Sequence, residues 1–364
     1  MSNTRVAILA PCKRWGGIER KLLILCREFL ALGVQPELLL PRGGVIPYPD
    51  EFPADVRVTD LNSGGKLSSI TKLIRHLKTD PPAALLTAKD HSAKAAILAS
   101  TFGRLDIPVY VKITNTPSQT LRRRFKRLSA RALYPYANRL IALSEGVRDD
   151  LVSYMSVPAD KIEVIYNPTV TPCIPERASQ PVSHPWLQGD GPPVIMGAGR
   201  LTTQKDFATL ISAFAQLRQE RAARLMILGD GPLHQSLLQE AEALGVGEDV
   251  SLPGYIPDPI PYLARASLFA LSSRYEGLGN VLIEALATGT PAVSTNCPSG
   301  PDEILMRGRI GPLVPVGNCG AMARAMAQTL EAPPSPELLR EGLLRFRSDE
   351  VARRYLKVMG LAVQ

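Results

Sequence analysis

The sequence predicts an α/β protein of two doubly wound, Rossmann-like domains, each a parallel sheet with helices on both faces. Three observations lead there. Its 364 residues exceed one simple core of roughly 150 residues, and 45% are hydrophobic against 21% charged, a globular balance. Short apolar runs rich in β-branched residues alternate with longer stretches of helical period through both halves, as parallel βαβ units require. Between Asn167 and Pro193 the texture changes to NPTVTPCIPERASQPVSHPWLQGDGPP, dense in proline and without a sustained period.

The N-terminal domain is placed at 1–170. RVAILA opens it as a buried strand; with a five-residue apolar core (VAILA) followed by proline, it reads as a strand rather than a signal peptide. GGIERKLLILCREFLALG follows as a helix, because Leu22, Leu23, Leu25, Cys26, Phe29 and Leu30 recur at three- and four-residue steps and Gly33 supplies the stop. PELLL, VRVTDL, AALLTA, PVYVKIT, RLIALS and IEVIYN are the further strands. A linker is placed at 171–192. In the C-terminal domain, 193–348, the strands are VIMGAG, RLMILGD, VSLPG, LFALSS, PAVSTN and LVPVG, with DFATLISAFAQL and VLIEALATG among the helices. The last residues, 349–364, read as an amphipathic helix expected to pack back toward the N-terminal domain. Two such domains would face a central cleft at the carboxyl ends of their strands, where open α/β sheets bind ligands.

Five cysteines, Cys12, Cys26, Cys173, Cys297 and Cys319, are odd in number and include no C-x-x-C pair, which argues against a disulfide framework or a zinc site and for a reducing compartment. No apolar run approaches the roughly 18 residues of a membrane span. A cytoplasmic protein is expected, with room for a peripheral position on the inner face of the membrane. The net charge of +8 is uneven: residues 1–170 hold 25 Lys/Arg against 15 Asp/Glu, and residues 171–364 hold 17 against 19. Six cations, Arg122, Arg123, Arg124, Lys126, Arg127 and Arg131, fall within LRRRFKRLSAR. Such a run is either a solvated helix face or a docking patch for an anionic membrane surface or phosphate-bearing acceptor. Nucleic acid is not the expected partner, since aromatics are 5% of the chain and no RNA-binding signature appears.

Candidate site residues fall just after strands. Gly16 and Gly17 sit between the first strand and first helix, where backbone and helix N-terminus suit a negative ligand. The turn lacks G-x-G-x-x-G and no acidic residue ends the second strand, which weakens simple NAD binding. Arg200 and Lys205, in GAGRLTTQKD, follow a strand and precede a helix; a planar fork and a point charge together suit a diphosphate. Glu276 ends LFALSSRYE at the cleft. Gly279, Asn280 and Val281 open the next helix, whose free N–H groups suit phosphate, and Glu284 lies one turn in, a fitting acceptor for sugar hydroxyls.

The segment SSRYEGLGN with Glu276 and Glu284 eight residues apart, followed by EALATGTPAVST and CPSGPDEIL, resembles the signature of glycosyltransferase family 4, retaining nucleotide-sugar transferases of GT-B architecture. GGIER, LSEGVRDDL at 143–151, IYNP at 165–168, GAGRLTTQKDFATLISAF at 197–214, LGDGPL at 228–233 and PGYIPD at 253–258 extend the likeness over most of the chain. The resemblance implies that Arg200 and Lys205 bind the donor diphosphate and stabilise its growing charge. It assigns Glu276 to donor-sugar hydroxyls, the turn Gly277, Leu278, Gly279, Asn280 and Val281 to sugar and phosphates, and Glu284 to the ribose. Tyr255 and Ile256 match the base-binding loop, and Gly17 lets the first turn approach the donor phosphate. His91 stands where relatives place a histidine near the transferred sugar, although the usual His-x-His is here Asp90-His91-Ser92, and Asn115 stands where many relatives have histidine.

The implied reaction is transfer with retention from a nucleoside-diphosphate sugar, most readily a UDP-hexose or UDP-N-acetylhexosamine, to a glycan or lipid-linked acceptor. The donor is a co-substrate; no cofactor, metal or conventional base is implied, and Glu276 and Glu284 do not read as the acid and nucleophile of a glycoside hydrolase. Two other readings stay open: a UDP-amino-sugar epimerase of the same architecture, and a noncatalytic nucleotide-binding module.

Overall fold

All thirteen runs read as strands from the sequence pair as strands in the computed structural model, which describes residues 4–12, 16–41, 43, 46, 48–121 and 123–362. The chain divides into two units, Met1–Pro168 with Phe346–Gln364, and Thr169–Arg345. In the first, the strands are β1 (Arg5–Leu9), β2 (Gln35–Leu40), β3 (Arg57–Asp60), β4 (Ala84–Thr87), β5 (Val109–Ile113), β6 (Arg139–Ala142) and β7 (Ile162–Val164). They pair in the order β3-β2-β1-β4-β5-β6-β7, every pair parallel. β1 is central, with Leu9 opposite Leu39 on one side and Thr87 on the other. Strands covered on both faces read as continuous apolar runs, and β4 and β5 are buried at every residue.

One face of this sheet is covered by the helices Lys66–Thr79, Asp90–Gly103, Arg124–Leu133 and Glu145–Ser153. The other is covered by Gly17–Ala31 and by Ser348–Val358 from the far end of the chain. Val351, Ala352, Tyr355 and Leu356 bury beside Leu22, Leu25 and Phe29. Each fully buried Val or Leu contributes about 2 kcal/mol. Ser348 Oγ donates to Glu28 Oε1 at 2.5 Å, Arg354 Nη2 to the Val164 carbonyl at 2.9 Å, and the Phe346 ring meets Tyr166 edge-on at 5.0 Å. The return to the first unit therefore begins at Phe346, before the helix itself.

The second unit has β8 (Val194–Ala198), β9 (Arg224–Leu228), β10 (Val250–Gly254), β11 (Leu268–Leu271), β12 (Ala292–Thr295) and β13 (Leu313–Val314), in the order β10-β9-β8-β11-β12-β13, again all parallel. Phe207–Glu220, His234–Ala243 and Cys319–Glu331 pack on one face.

The stretch 171–192, expected as a linker, is instead fastened to this second unit. It carries the helix Ile174–Ser179, buries Ile174 and Val182, and sets His184 Nε2 at 3.3 Å from Ser251 Oγ on edge strand β10. The Arg224 guanidinium lies 5.1 Å over the Trp186 ring. Proline removes the periodicity by which packed segments are recognised, but it does not prevent scattered apolar side chains from burying.

Candidate active site

In an open parallel sheet, the loops on either side of the point where strand order reverses part from each other and leave a crevice. In the second unit that point lies between β8 and β11, and the loops leaving these strands carry Arg200, Lys205 and Glu276. Lys205 Nζ lies 2.5 Å from Glu276 Oε1, both side chains being largely buried, and Ser273 Oγ donates to the same oxygen at 2.6 Å. The backbones of the two loops are joined as well: Arg274 N donates to the Gln204 carbonyl (2.8 Å), Gln204 Nε2 to the Tyr275 carbonyl (3.0 Å) and Ser272 Oγ to the Lys205 carbonyl (2.8 Å). Arg274 Nε pairs with Asp206 Oδ2 at 2.9 Å. Arg200 is exposed on the same loop as Lys205. The loops thus form one rigid cationic and carboxylate edge. Near it, burial first and the Glu276 charge second push the Cys297 thiol up to about 12, which keeps it protonated and unsuited to act as a nucleophile.

The following turn reaches the helix Asn280–Ala287 through Gly279, whose φ of +98° favours glycine. The neighbouring Gly300 is equally constrained: a Cβ there would stand 2.0 Å from the Leu278 carbonyl oxygen. Leu278 is buried, while Asn280 and Val281 on the first turn and Glu284 one turn further in are half-buried. Thr169 Oγ1 donates to Asn280 Oδ1 at 3.4 Å. Tyr255, 55% exposed, and the half-buried Ile256 follow β10. Their loop ends at Asp258, which takes a two-pronged contact from Arg177, with Nε to Oδ2 at 2.9 Å.

The first unit has the corresponding crevice between β1 and β4. Gly16 precedes the helix Gly17–Ala31 in an extended conformation, and a Cβ on Gly17 would meet none of the described residues within 4 Å. Across the crevice Lys89 Nζ bridges to Glu19 Oε1 at 2.8 Å and to the Pro11 carbonyl at 3.3 Å. Both crevices are therefore spanned by a lysine–glutamate pair. His91 is exposed on the first turn of Asp90–Gly103. Its neighbour Asp90 accepts from Tyr134 Oη at 2.9 Å and pairs with Lys94 at 3.0 Å.

The basic run maps to the helix Arg124–Leu133 and its approach; Arg122 lies outside the described residues. Arg123, Arg124, Lys126 and Arg131 are exposed, together with Phe125 (83%) and Leu128 (49%). Arg127 departs from expectation. It is half-buried, with its guanidinium 5.2 Å over the Tyr154 ring and donating to Tyr154 Oη at 3.3 Å.

Residues 15–171 match the family model described as Glycosyltransferase Family 4, and residues 192–332 match Glycosyl transferases group 1. The N-acetylgalactosamine-N,N'-diacetylbacillosaminyl-diphospho-undecaprenol 4-alpha-N-acetylgalactosaminyltransferase of Campylobacter jejuni is 31% identical over 264 residues, 71% of this chain and 69% of that one. The chain belongs to glycosyltransferase family 4. The lipopolysaccharide core biosynthesis glycosyltransferase LpsE of Rhizobium meliloti is 40% identical to this family 4 enzyme over 136 residues, 37% of this chain and 39% of LpsE. HepE of Anabaena, solved in complex with UDP, has the same GT-B fold, with a TM-score of 0.82 at 19% identity over 98% of this chain and 99% of that one.

Sequence reasoning on this glycosyltransferase missed Ser273, the Arg274–Asp206 pair, the Glu19–Lys89 bridge and Arg177. Ser273 and Glu19 lie inside quoted motifs, so a signal was present. Arg177 had none, being enclosed in a segment read as linker.

Proposed function

We propose that this glycosyltransferase transfers a sugar with retention, and without a metal, from a UDP-hexose or UDP-N-acetylhexosamine to a glycan or lipid-linked acceptor in surface polysaccharide or glycoconjugate synthesis. The observation that carries the reading is the Lys205–Glu276 pair at the β8/β11 crossover, with Arg200 exposed on the same loop as Lys205. Arg200 and Lys205 bind the diphosphate and stabilise the charge it gains as the anomeric C–O bond breaks, the part a metal ion would otherwise play. Glu276 holds donor-sugar hydroxyls, with Lys205 and Ser273 fixing its carboxylate. The turn 277–281 takes the sugar and phosphates, Glu284 the ribose, and Tyr255 with Ile256 the base. The acceptor oxygen attacks on the face from which the diphosphate departs, and its proton passes to the departing phosphate oxygen. Gly16 and Gly17 are assigned to the donor phosphate and His91 to the transferred sugar on the family resemblance.

The relatives support the partner classes. The Campylobacter enzyme is named for a diphospho-undecaprenol acceptor, LpsE for lipopolysaccharide core synthesis, and HepE was solved with UDP. No helix among the described residues is long and apolar enough to cross a membrane. Access to a lipid-linked acceptor is assigned to the face of Arg124–Leu133, where Phe125 and Leu128 stand exposed one turn apart among Arg123, Arg124, Lys126 and Arg131. Apolar side chains within a cationic border suit the surface of an anionic bilayer, which supports a peripheral position on the inner face of the cytoplasmic membrane.

The deciding experiment is thermal unfolding with UDP, GDP, ADP, CMP and NAD, for the wild type and for Arg200→Ala with Lys205→Ala. A ligand at 100 times its dissociation constant adds about 2.7 kcal/mol. UDP is expected to stabilise the wild type and not the double variant. Stabilisation by NAD alone, or by none of these, would remove the donor assignment.

A further inference from the structure

The Thr169–Gln188 strap touches the second unit at two places that the donor reading assigns to the nucleotide. Thr169 meets Asn280 at the start of the phosphate-binding helix. Arg177 meets Asp258 at the end of the base-binding loop. Asp258 is held within its own loop too, since the Oδ1 that accepts from Arg177 Nη2 also accepts the Ile260 N–H at 3.1 Å, at the start of the short helix Ile260–Leu263. Arg265 Nη1 closes a second tie between the same segments, donating to the Ala178 carbonyl at 3.2 Å and to the Pro261 carbonyl at 2.8 Å.

The chemistry at Arg177 is directional. A guanidinium that engages both oxygens of one carboxylate fixes its plane as well as its distance, which an ammonium does not. Burial opposes the Arg177 charge, but Asp258 foremost, then Cys173 and Glu284, outweigh it and hold its pKa above the ordinary guanidinium value. Arg177 thus stands electrostatically between the end of the base loop and the carboxylate assigned to the ribose.

We propose that Arg177 is a positioning residue for the nucleoside end of the donor, holding the loop of Tyr255 and Ile256 through Asp258. The inference rests on the donor reading above. It makes the segment after Pro168 a structural part of the nucleotide site, acting through residues that touch the ligand.

The test is a cycle of UDP dissociation constants, measured by calorimetry on the full chain, with unfolding midpoints recorded for each variant. Arg177→Lys and Asp258→Asn are each expected to weaken UDP about tenfold. Because they act through one contact, the double variant should also be weakened about tenfold rather than a hundredfold. Arg177→Lys combined with Lys205→Ala, which acts at the diphosphate, should multiply the single effects. Arg177→Gln repeats the comparison should the lysine variant fold poorly. An unchanged UDP constant in a folded Arg177 variant, or multiplicative effects of Arg177→Lys and Asp258→Asn, overturns the proposal while leaving the donor reading intact. A wild type that binds none of UDP, GDP, ADP and CMP overturns the donor reading and this inference together.

Discussion

Replacing Lys205 by methionine removes the ionic partner of a carboxylate that is itself largely buried. The two side chains are 15% and 9% exposed and 2.5 Å apart, and after the substitution Glu276 Oε1 keeps the Ser273 hydroxyl at 2.6 Å. Breaking a buried pair by deleting one member costs roughly 3–5 kcal/mol, because the remaining charge is left in a poorly solvated place. Residual exposure and the Ser273 hydrogen bond favour the lower end, about 3 kcal/mol. For a unit in the range of 150–250 residues, that lowers the midpoint by about 6–12 °C. Adding Glu276→Gln removes the stranded charge and should restore at least half of the loss. Activity should not follow stability. Both variants lack the cation assigned to the leaving diphosphate, so nucleotide release should fall about 100-fold or more in each. Scanning calorimetry and nucleotide release on the same preparations check both statements. Equal midpoints for the single and double variants would refute the view that Lys205 stabilises Glu276, and nucleotide release within tenfold of wild type would refute its place in catalysis.

Three further outcomes are expected. Gly300→Ala forces a Cβ to within 2.0 Å of the Leu278 oxygen at a φ of +97°, so the 278–281 turn must shift. A loss of about 3 kcal/mol in urea unfolding and weakened nucleotide binding should result, and an unchanged midpoint would contradict the packing described. Lys112 is buried on β5 with Nζ 5.5 Å from the Tyr355 ring centroid; burial first, then the charge of Lys21, pull its pKa down to about 7. Between pH 7 and the unfolded value of about 10.4, the unfolded chain binds a proton that the folded chain does not, so stability rises with pH across this window. The rise amounts to at most about 4 kcal/mol. Lys112→Met should flatten it, and a wild-type slope in that variant would reject the assignment. Arg124→Gln with Lys126→Gln should weaken binding to vesicles of anionic lipid about 30-fold, taking about 1 kcal/mol per cation. Sedimentation with the vesicles measures this, and unaltered binding would dismiss the docking face.

The strands were legible because a strand buried on both faces must be apolar throughout, as ALLT and LFAL are. The helix Gly17–Ala31 was legible because Leu22, Leu25 and Phe29 face one core. The strap at 171–192 was misread because its buried residues, Ile174 and Val182, recur with neither period. The packing of Arg127 was not legible because a charge run does not show what each side chain packs against; Tyr154, which it covers, is 27 residues away.

The sequence alone determined which segments become strands and helices and which residue types stand after the strands, since both follow from local periodicity and from the order of elements in βαβ units. It placed Arg200, Lys205 and Glu276 at loop positions and Glu284 one turn into a helix without saying which of them meet. Only the tertiary structure decided that Lys205 and Glu276 form a pair, that Asp206 is spent on Arg274, and that Arg177 reaches Asp258. These partners are 71, 68 and 81 residues apart in the chain. The first two contacts depend on the parallel order of strands and the reversal between β8 and β11, and the third on the strap lying beside edge strand β10, none of which a local pattern relates.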